Sequence, residues 1–83
     1  EVANISKQSA ASAEQIEAIT ELKKIGKFGL LSPVLRQTAN LRLENPEASM
    51  AVLGKLENPP VSKSQESKRL LKIVDFYKAH KNN

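Results

Sequence analysis

Residues 49–77 read SMAVLGKLENPPVSKSQESKRLLKIVDFY and combine a short apolar segment, a proline-containing turn and a longer basic segment. Ser49 can cap a first helix, because its hydroxyl can accept a hydrogen bond from an N–H group that the first turn leaves without a partner. The Asn-Pro-Pro sequence at 58–60 ends that helix, since proline has no N–H to donate. Ser62 and Gln65 have the spacing of a capping box that opens a second helix. This order of elements predicts a helix-turn-helix, whose second helix enters the major groove of DNA.

The charge of the chain is concentrated on this predicted unit. Residues 1–54 carry six basic and six acidic residues, whereas residues 55–83 carry seven basic and three acidic residues and therefore the whole net charge of +4. A basic excess on one element is the electrostatic footprint of a partner with a phosphate backbone. An ordinary helical hairpin with a solvated lysine face would have the same pattern, so both interpretations stay open at this point.

The preceding part of the chain is predicted to be helical as well. Residues 6–25, with Ser6 as N-cap, combine good helix formers with a partial apolar stripe at helical spacing. Gly26 ends this helix, because a residue without Cβ can enter the left-handed region. The Ser-Pro pair at 32–33 starts a second helix that runs to about residue 43, with serine as N-cap and proline at the first helical position.

The predicted fold class is therefore all-α, with four helices. Helices over 33–43, 50–56 and 63–80 form a tri-helical helix-turn-helix core, which assigns residues 27–83 to a helix-turn-helix DNA-binding domain. Residues 1–26 are assigned to an N-terminal linker helix that precedes this core.

Two short features carry expectations about packing. Phe28, Leu30 and Leu31 are too apolar for open solvent and are expected to plug the core between helices. Gly54 is unfavourable inside a helix by about 1 kcal/mol relative to alanine. Its presence indicates either the close approach of another backbone or a short, weak helix near its end.

The longer basic helix has two faces at about 100° per residue. Its apolar side is formed by Leu70, Ile73, Val74 and Tyr77. The candidate DNA-binding residues are Ser62, Lys63, Ser64, Gln65, Lys68, Arg69 and Lys72. Of these, Ser64, Gln65 and Lys68 are expected to face base edges. Lys63, Arg69 and Lys72 are expected to hold phosphates, and for Lys68 and Lys72 the alternative is a solvated face.

The composition offers no catalytic or metal chemistry. The sequence has no cysteine, so neither a disulfide framework nor a thiolate metal site can form. Its one histidine, His80, is expected to be exposed near the C-terminus rather than to act as a ligand or a base. We find no glycine-rich phosphate loop and no metal-ligand spacing, and we expect no catalytic residue, no cofactor, no metal and no enzyme activity. No apolar run is long enough for a membrane span, and the expected location is cytoplasmic and nucleoid-associated.

Several blocks of the sequence resemble one known family. They are LRLENPEAS at 41–49, Leu53-Gly54, NPPVSKS at 58–64 and Arg69-Leu70, with Ala3-Asn4-Ile5 and Gln15-Ile16 upstream. Together they closely resemble the C-terminal helix-turn-helix domain of the WhiA family of bacterial sporulation and cell-division regulators. The resemblance implies double-stranded DNA as the partner. It also implies that the chain is a fragment of a longer protein, whose N-terminal domain resembles a LAGLIDADG homing endonuclease without nuclease activity.

The sequence departs from this family at 65–68, where Gln-Glu-Ser-Lys stands in place of Gly-Val-Asn-His. These positions are expected to reach base edges, so the base preference of the family does not carry over to this chain. Glu66 in particular is expected to repel a phosphate or to accept a hydrogen bond from the amino group of cytosine.

Three functions remain to be distinguished. The first is a DNA-binding domain of a bacterial transcription regulator linked to sporulation or cell division, with the helix at 63–80 in the major groove. The alternative is a protein-interaction module that docks on RNA polymerase or a sigma factor. The third is a purely structural helical domain, against which the uneven charge argues.

Overall fold

The computed structural model describes residues 10–81, with side chains described from residue 12 onward. These residues contain no strand, and the predicted all-α fold is confirmed. The four α-helices are α1 (Ala10–Lys24), α2 (Pro33–Glu44), α3 (Met50–Leu56) and α4 (Lys63–His80), and a 3-10 helix covers Phe28–Leu30. The predicted N-cap of the first helix, Ser6, lies outside the described residues.

Local sequence signals set the helix boundaries. Each of α2, α3 and α4 follows a serine whose Oγ accepts a hydrogen bond from the backbone N–H three residues later, which confirms the three predicted starts. These bonds join Leu35 N to Ser32 Oγ at 3.3 Å, Val52 N to Ser49 Oγ at 3.2 Å, and Gln65 N to Ser62 Oγ at 3.1 Å. After α1, Gly26 has a φ of +77°, the left-handed conformation predicted for the residue that ends this helix.

All four helices contribute to one aliphatic core. Its buried members are Ile19 and Leu22 from α1, Ala39 from α2, Leu53 from α3, Leu70 and Ile73 from α4, and Leu31 from the loop before α2. The sequence predicted that the first helix would precede the core as a linker. The described part of α1 instead packs in the core, because Ile19 and Leu22 are spaced by three residues and point to the same side. The division at 26/27 stays a prediction about whether residues 27–83 fold alone.

The loop between α1 and α2 fills the core only in part. Leu31 is buried and Phe28 packs against the core, as predicted. Leu30 is 65% exposed, so its predicted place in the core is wrong. The tight 3-10 turn explains the difference, since its successive side chains point in different directions around the turn.

The turn between α3 and α4 is held by close backbone contact at Gly54. Val61 N donates to Gly54 O at 2.9 Å. A Cβ atom at Gly54 would lie 2.5 Å from Val61 O, a distance at which the backbone would have to move. Of the two interpretations of this glycine, the close approach of another backbone is therefore confirmed. The same turn contains a cis peptide bond between Asn58 and Pro59.

A buried arginine ties α2 to the segment that follows it. Arg42 is fully buried, and its Nη1 donates to Ser12 Oγ at 3.0 Å and to the backbone oxygens of Asn45 at 3.3 Å and Pro46 at 3.0 Å. Hydrogen bonds to a charged donor are stronger than those between neutral groups. Arg42 therefore fixes the α2–α3 loop against α1.

Candidate nucleic-acid interface

The outward face of α4 is set by the residues on its inward face. Leu70, Ile73 and Val74 are buried against the other helices, so the opposite side of α4 faces solvent. Six of the seven candidate DNA-binding residues are exposed, namely Ser62, Lys63, Ser64, Gln65, Lys68 and Lys72. The two-faced helix expected from the sequence is thus present, with its polar side open to a partner.

The lysines on this face are not neutralised by neighbouring acids. Among the described residues, the ion pairs are Lys24 with Glu21, Arg69 with Glu57, and Lys78 with Glu14. Lys63, Lys68 and Lys72 have no such partner within residues 12–81. These three exposed positive charges can therefore meet an anion without first breaking an intramolecular pair.

Arg69 differs from the other candidates. Its side chain is 18% exposed, and its Nη1 lies 3.4 Å from Oε1 of the buried Glu57. This guanidinium is directed toward the α3–α4 turn. Its expected phosphate contact stays a prediction, and any such contact has to coexist with the ion pair.

A pair of buried carboxyl groups lies behind this face, and sequence reasoning missed it. Glu57 accepts hydrogen bonds from Thr38 Oγ1 and, at 2.7 Å, from Gln37 Nε2, both on α2. Glu66 on α4 is fully buried, so the expectation that it meets phosphate or a base is wrong. The reason is its position, since Glu66, Leu70 and Ile73 follow the i, i+4, i+7 spacing of one helix face. That spacing was the signal in the sequence that could have placed it.

The pKa values of the two carboxyl groups are shifted in opposite directions. Burial, the largest cause, and the neighbouring Glu57 together raise the pKa of Glu66 to about 8, against the opposing effect of Arg69 and Arg42. Burial alone would also raise the pKa of Glu57, but hydrogen bonds from Glu66, Thr38 and Gln37 together lower it. A protonated Glu66 can therefore donate to ionised Glu57, which links α2, the end of α3 and α4 and so fixes the orientation of α4.

A groove opens beside the exposed face, between the start of α3 and the first half of α4. It has a volume of about 460 Å³ and is lined by Met50, Lys63, Ser64, Ser67, Lys68 and Leu71. A smaller groove of about 240 Å³ between α1 and α4 shares Ser67 and Leu71 with it. From the sequence, Ser67 was expected to reach base edges together with its neighbours at 65–68. Leu71 was not singled out, although it lies on the same side of the helix as Ser64 and Lys68.

Other chemistries have little support in the described residues. Within residues 12–81 no group of three or more histidine, cysteine, aspartate or glutamate side chains could hold a metal ion. None of the described helices is both long enough and apolar enough to cross a membrane. His80, which was expected to be exposed, is half-buried, with its Nδ1 2.8 Å from Phe76 O and its ring 4.1 Å from the Phe76 ring.

The sequence as a whole matches a known family. A family model described as "WhiA C-terminal HTH domain" matches residues 1–77. The chain belongs to the WhiA C-terminal HTH domain family. The matched range includes α3, the proline turn and most of α4, and the expected resemblance is confirmed. No solved structure matches the chain.

Curated relatives of this WhiA domain are proteins named "Probable cell division protein WhiA". The chain is 47% identical to the one from Symbiobacterium thermophilum over 74 residues, which cover 89% of the chain and 24% of that relative. It is 45% identical to the one from Lactococcus lactis subsp. cremoris over 75 residues, or 90% of the chain and 25% of the relative. It is 45% identical to the one from Clostridium acetobutylicum over 73 residues, which cover 88% of the chain and 23% of that relative. The chain thus spans about a quarter of the length of these relatives.

Proposed function

We propose that this WhiA domain binds double-stranded DNA, with α4 in the major groove. The observation that carries the proposal is the exposed N-terminal half of α4, whose three lysines have no acidic partner among the described residues. In a helix-turn-helix this is the part of the second helix that meets the base edges. The proposal assigns a binding role and no catalytic step.

The candidate residues divide into two groups by chemistry. Ser64, Gln65 and Lys68 face base edges, where glutamine can pair in bidentate fashion with adenine and lysine with the acceptors of guanine. Lys63 and Lys72 flank them and bind phosphates, which position the domain without reading sequence. Ser62 caps the start of α4, and Arg69 contacts a phosphate while it keeps its ion pair with Glu57.

The proposal extends to the longer protein. The relatives are about four times the length of this chain, and their name refers to cell division. We therefore place the domain in a bacterial transcription regulator linked to sporulation or cell division and associated with the nucleoid. In that protein an N-terminal domain that resembles a homing endonuclease would add to the DNA contacts.

A second candidate is docking on RNA polymerase or a sigma factor through the same face. The observation in its favour is the groove beside α4, in which Met50 and Leu71 add apolar surface to the lysines. Protein docking predicts no DNA affinity for the domain, so a DNA-binding experiment distinguishes the two.

The test is a competition titration of the 83-residue chain with a preferred duplex, selected from a random pool, and with random duplex. Gln65→Ala should cost about 1–3 kcal/mol on the preferred duplex and little on random DNA, because it removes a base contact. Lys72→Ala should weaken binding to both alike and make the log–log salt slope shallower by about one unit. Lys24→Ala on α1 is the control. It removes one lysine outside α4, one that pairs with Glu21, and it should leave the slope unchanged.

Equal loss on both duplexes would remove Gln65 from the residues that read bases. Absence of DNA binding at low salt, together with loss of polymerase or sigma-factor capture in the same variants, would replace the DNA proposal by the protein-docking one.

A further inference from the structure

Four exposed residues form a single strip along α4. Ser64, Ser67, Lys68 and Leu71 follow the spacing i, i+3, i+4, i+7, which places them on one face of a helix. All four line the 460 Å³ groove. The recognition helix of a homeodomain reads bases with residues at this same spacing. The strip therefore has the geometry of a base-reading surface. Two of its members, Ser67 and Leu71, have no assigned contact in the DNA complex proposed above.

Leu71 is the unusual member of the strip. Its side chain is 59% exposed, whereas the side chain of the neighbouring Leu70 is fully buried in the core. A single exposed leucine on a protein surface is ordinary. This one, however, lines a groove whose other walls include Lys63 and Lys68, the cations expected to approach DNA. Inside a major groove, an apolar side chain finds one apolar feature on the base edges, the C5-methyl group of thymine.

We propose that Leu71 packs against the C5-methyl group of a thymine in the preferred site, and that Ser67 lies over the adjacent base. The inference rests on the proposed DNA binding and adds to it one specific contact, with the methyl group of a thymine. Seven residues of helix span about 10 Å, which corresponds to about three base pairs at 3.4 Å each. The thymine therefore lies within about three base pairs of the base that Ser64 faces.

The charges beyond Leu71 mark where this surface ends. Asp75, one turn further along α4, is exposed, and Glu14 of α1 lies beside the helix, 3.2 Å from Lys78 Nζ. Glu14 is neutralised by Lys78, so Asp75 is the carboxylate that would repel a phosphate backbone. Leu71 is thus the last residue of the strip before this acidic side chain, which has no ion pair among the described residues.

The same observations argue against a protein as the occupant of this strip. Stable protein interfaces bury about 800 Å² on each partner around an apolar centre. Here the apolar contribution to the groove is limited to Met50 and Leu71, and the remaining lining is serine and lysine. A groove whose apolar residues are two, with two lysines beside them, is smaller than such an interface centre and fits a base edge that carries a methyl group.

The experiment replaces each thymine of the preferred duplex in turn by deoxyuridine, which lacks only the C5-methyl group. For the 83-residue chain we expect one position at which this change weakens binding about three- to fivefold, the loss that corresponds to one buried methyl group. Leu71→Ala should lower affinity for the thymine duplex by a similar or larger factor and should bind the thymine and uracil duplexes equally. This loss of sensitivity is the coupling that a double-mutant cycle measures.

Leu30→Ala is the matched control, since Leu30 is also exposed, at 65%, but lies in the loop before α2. It should leave affinity and the thymine preference unchanged. If Leu71→Ala keeps the full preference for thymine over uracil, or if no position is sensitive to the methyl group while the chain still binds DNA, the inference is overturned and the proposed function stands. If the unaltered chain binds no duplex at low salt, both are overturned.

Discussion

Gly54→Ala tests the packing of the helix-turn-helix most sharply, because helix propensity and the structure predict effects of opposite sign. Alanine is favoured over glycine inside a helix by about 1 kcal/mol, and Gly54 lies within α3. Propensity alone would therefore make the variant more stable. The structure predicts the reverse, since the added Cβ meets backbone atoms of the α3–α4 turn.

The size of the effect follows from the distances. The Cβ would lie 2.5 Å from Val61 O and 3.3 Å from Ser62 O, and ordinary contact begins near 3.4 Å. The turn must therefore retreat by nearly 1 Å, which strains or breaks the 2.9 Å hydrogen bond from Val61 N to Gly54 O. Overpacking costs about 1–3 kcal/mol and the lost hydrogen bond about 0.5–1.5 kcal/mol. After the gain in propensity, we expect a net loss of about 2 kcal/mol.

Urea denaturation and thermal melting followed by circular dichroism measure this loss. A decrease of about 2 kcal/mol corresponds to a melting temperature lower by roughly 8–16 °C for a chain of this size. Gly29→Ala is the control, because nothing lies within 4 Å of a Cβ at that position, and it should be neutral or slightly stabilising. A Gly54→Ala variant as stable as the parent would refute the close approach of the two backbones.

Three further predictions concern stability. Because the folded pKa of Glu66 is raised from its ordinary 4.5 to about 8, the folded chain keeps a proton that the unfolded chain loses. The free energy of unfolding should therefore fall as pH rises through this window, by up to about 1.4 kcal/mol per pH unit. Glu66→Gln should make the free energy of unfolding less dependent on pH. If urea titrations give the variant the same pH profile as the parent, Glu66 is not the group that keeps this proton. Leu70→Ala or Leu53→Ala should lower the free energy of unfolding by about 2–4 kcal/mol. Leu56→Ala is the control, because Leu56 is half-exposed. If the first two variants melt like the parent, these two leucines lie outside the core. Ser62→Ala should cost about 1 kcal/mol through loss of the α4 cap, and its unfolding midpoint in urea would then fall below that of the parent.

The helices and the exposed face of α4 could be predicted because their signals are local. A serine marks the start of a helix, a proline marks its end, and apolar residues at helical spacing mark its buried face. Each of these signals can be recognised without information from distant parts of the chain. The starts of α2, α3 and α4 and the exposure of Lys68 and Lys72 followed from such signals and agree with the structure.

The errors arose where a residue's environment depends on contacts far along the chain. Glu66 was expected at the DNA face because of its place within residues 65–68, whereas it is fully buried beside Glu57, the residue that follows α3. Leu30 was assigned to the core by its hydrophobicity, but the 3-10 turn directs it outward. The packing of α1 depends on which surface the other three helices leave open, which the sequence of α1 alone cannot indicate.

The central claim is that the exposed lysines of α4 bind DNA, with Lys63 and Lys72 on its phosphates and Lys68 at a base edge. The most direct measurement is the salt dependence of duplex binding by fluorescence anisotropy, for the 83-residue chain and for the triple variant Lys63→Ala, Lys68→Ala, Lys72→Ala. Each lost phosphate contact should reduce the log–log slope by about 0.9, and Lys63 and Lys72 are the two phosphate contacts that this variant removes. The account therefore predicts measurable binding at low salt and a slope shallower by roughly two units in the triple variant. A slope that is the same in both proteins, or no binding by the unaltered chain at low salt, would contradict it.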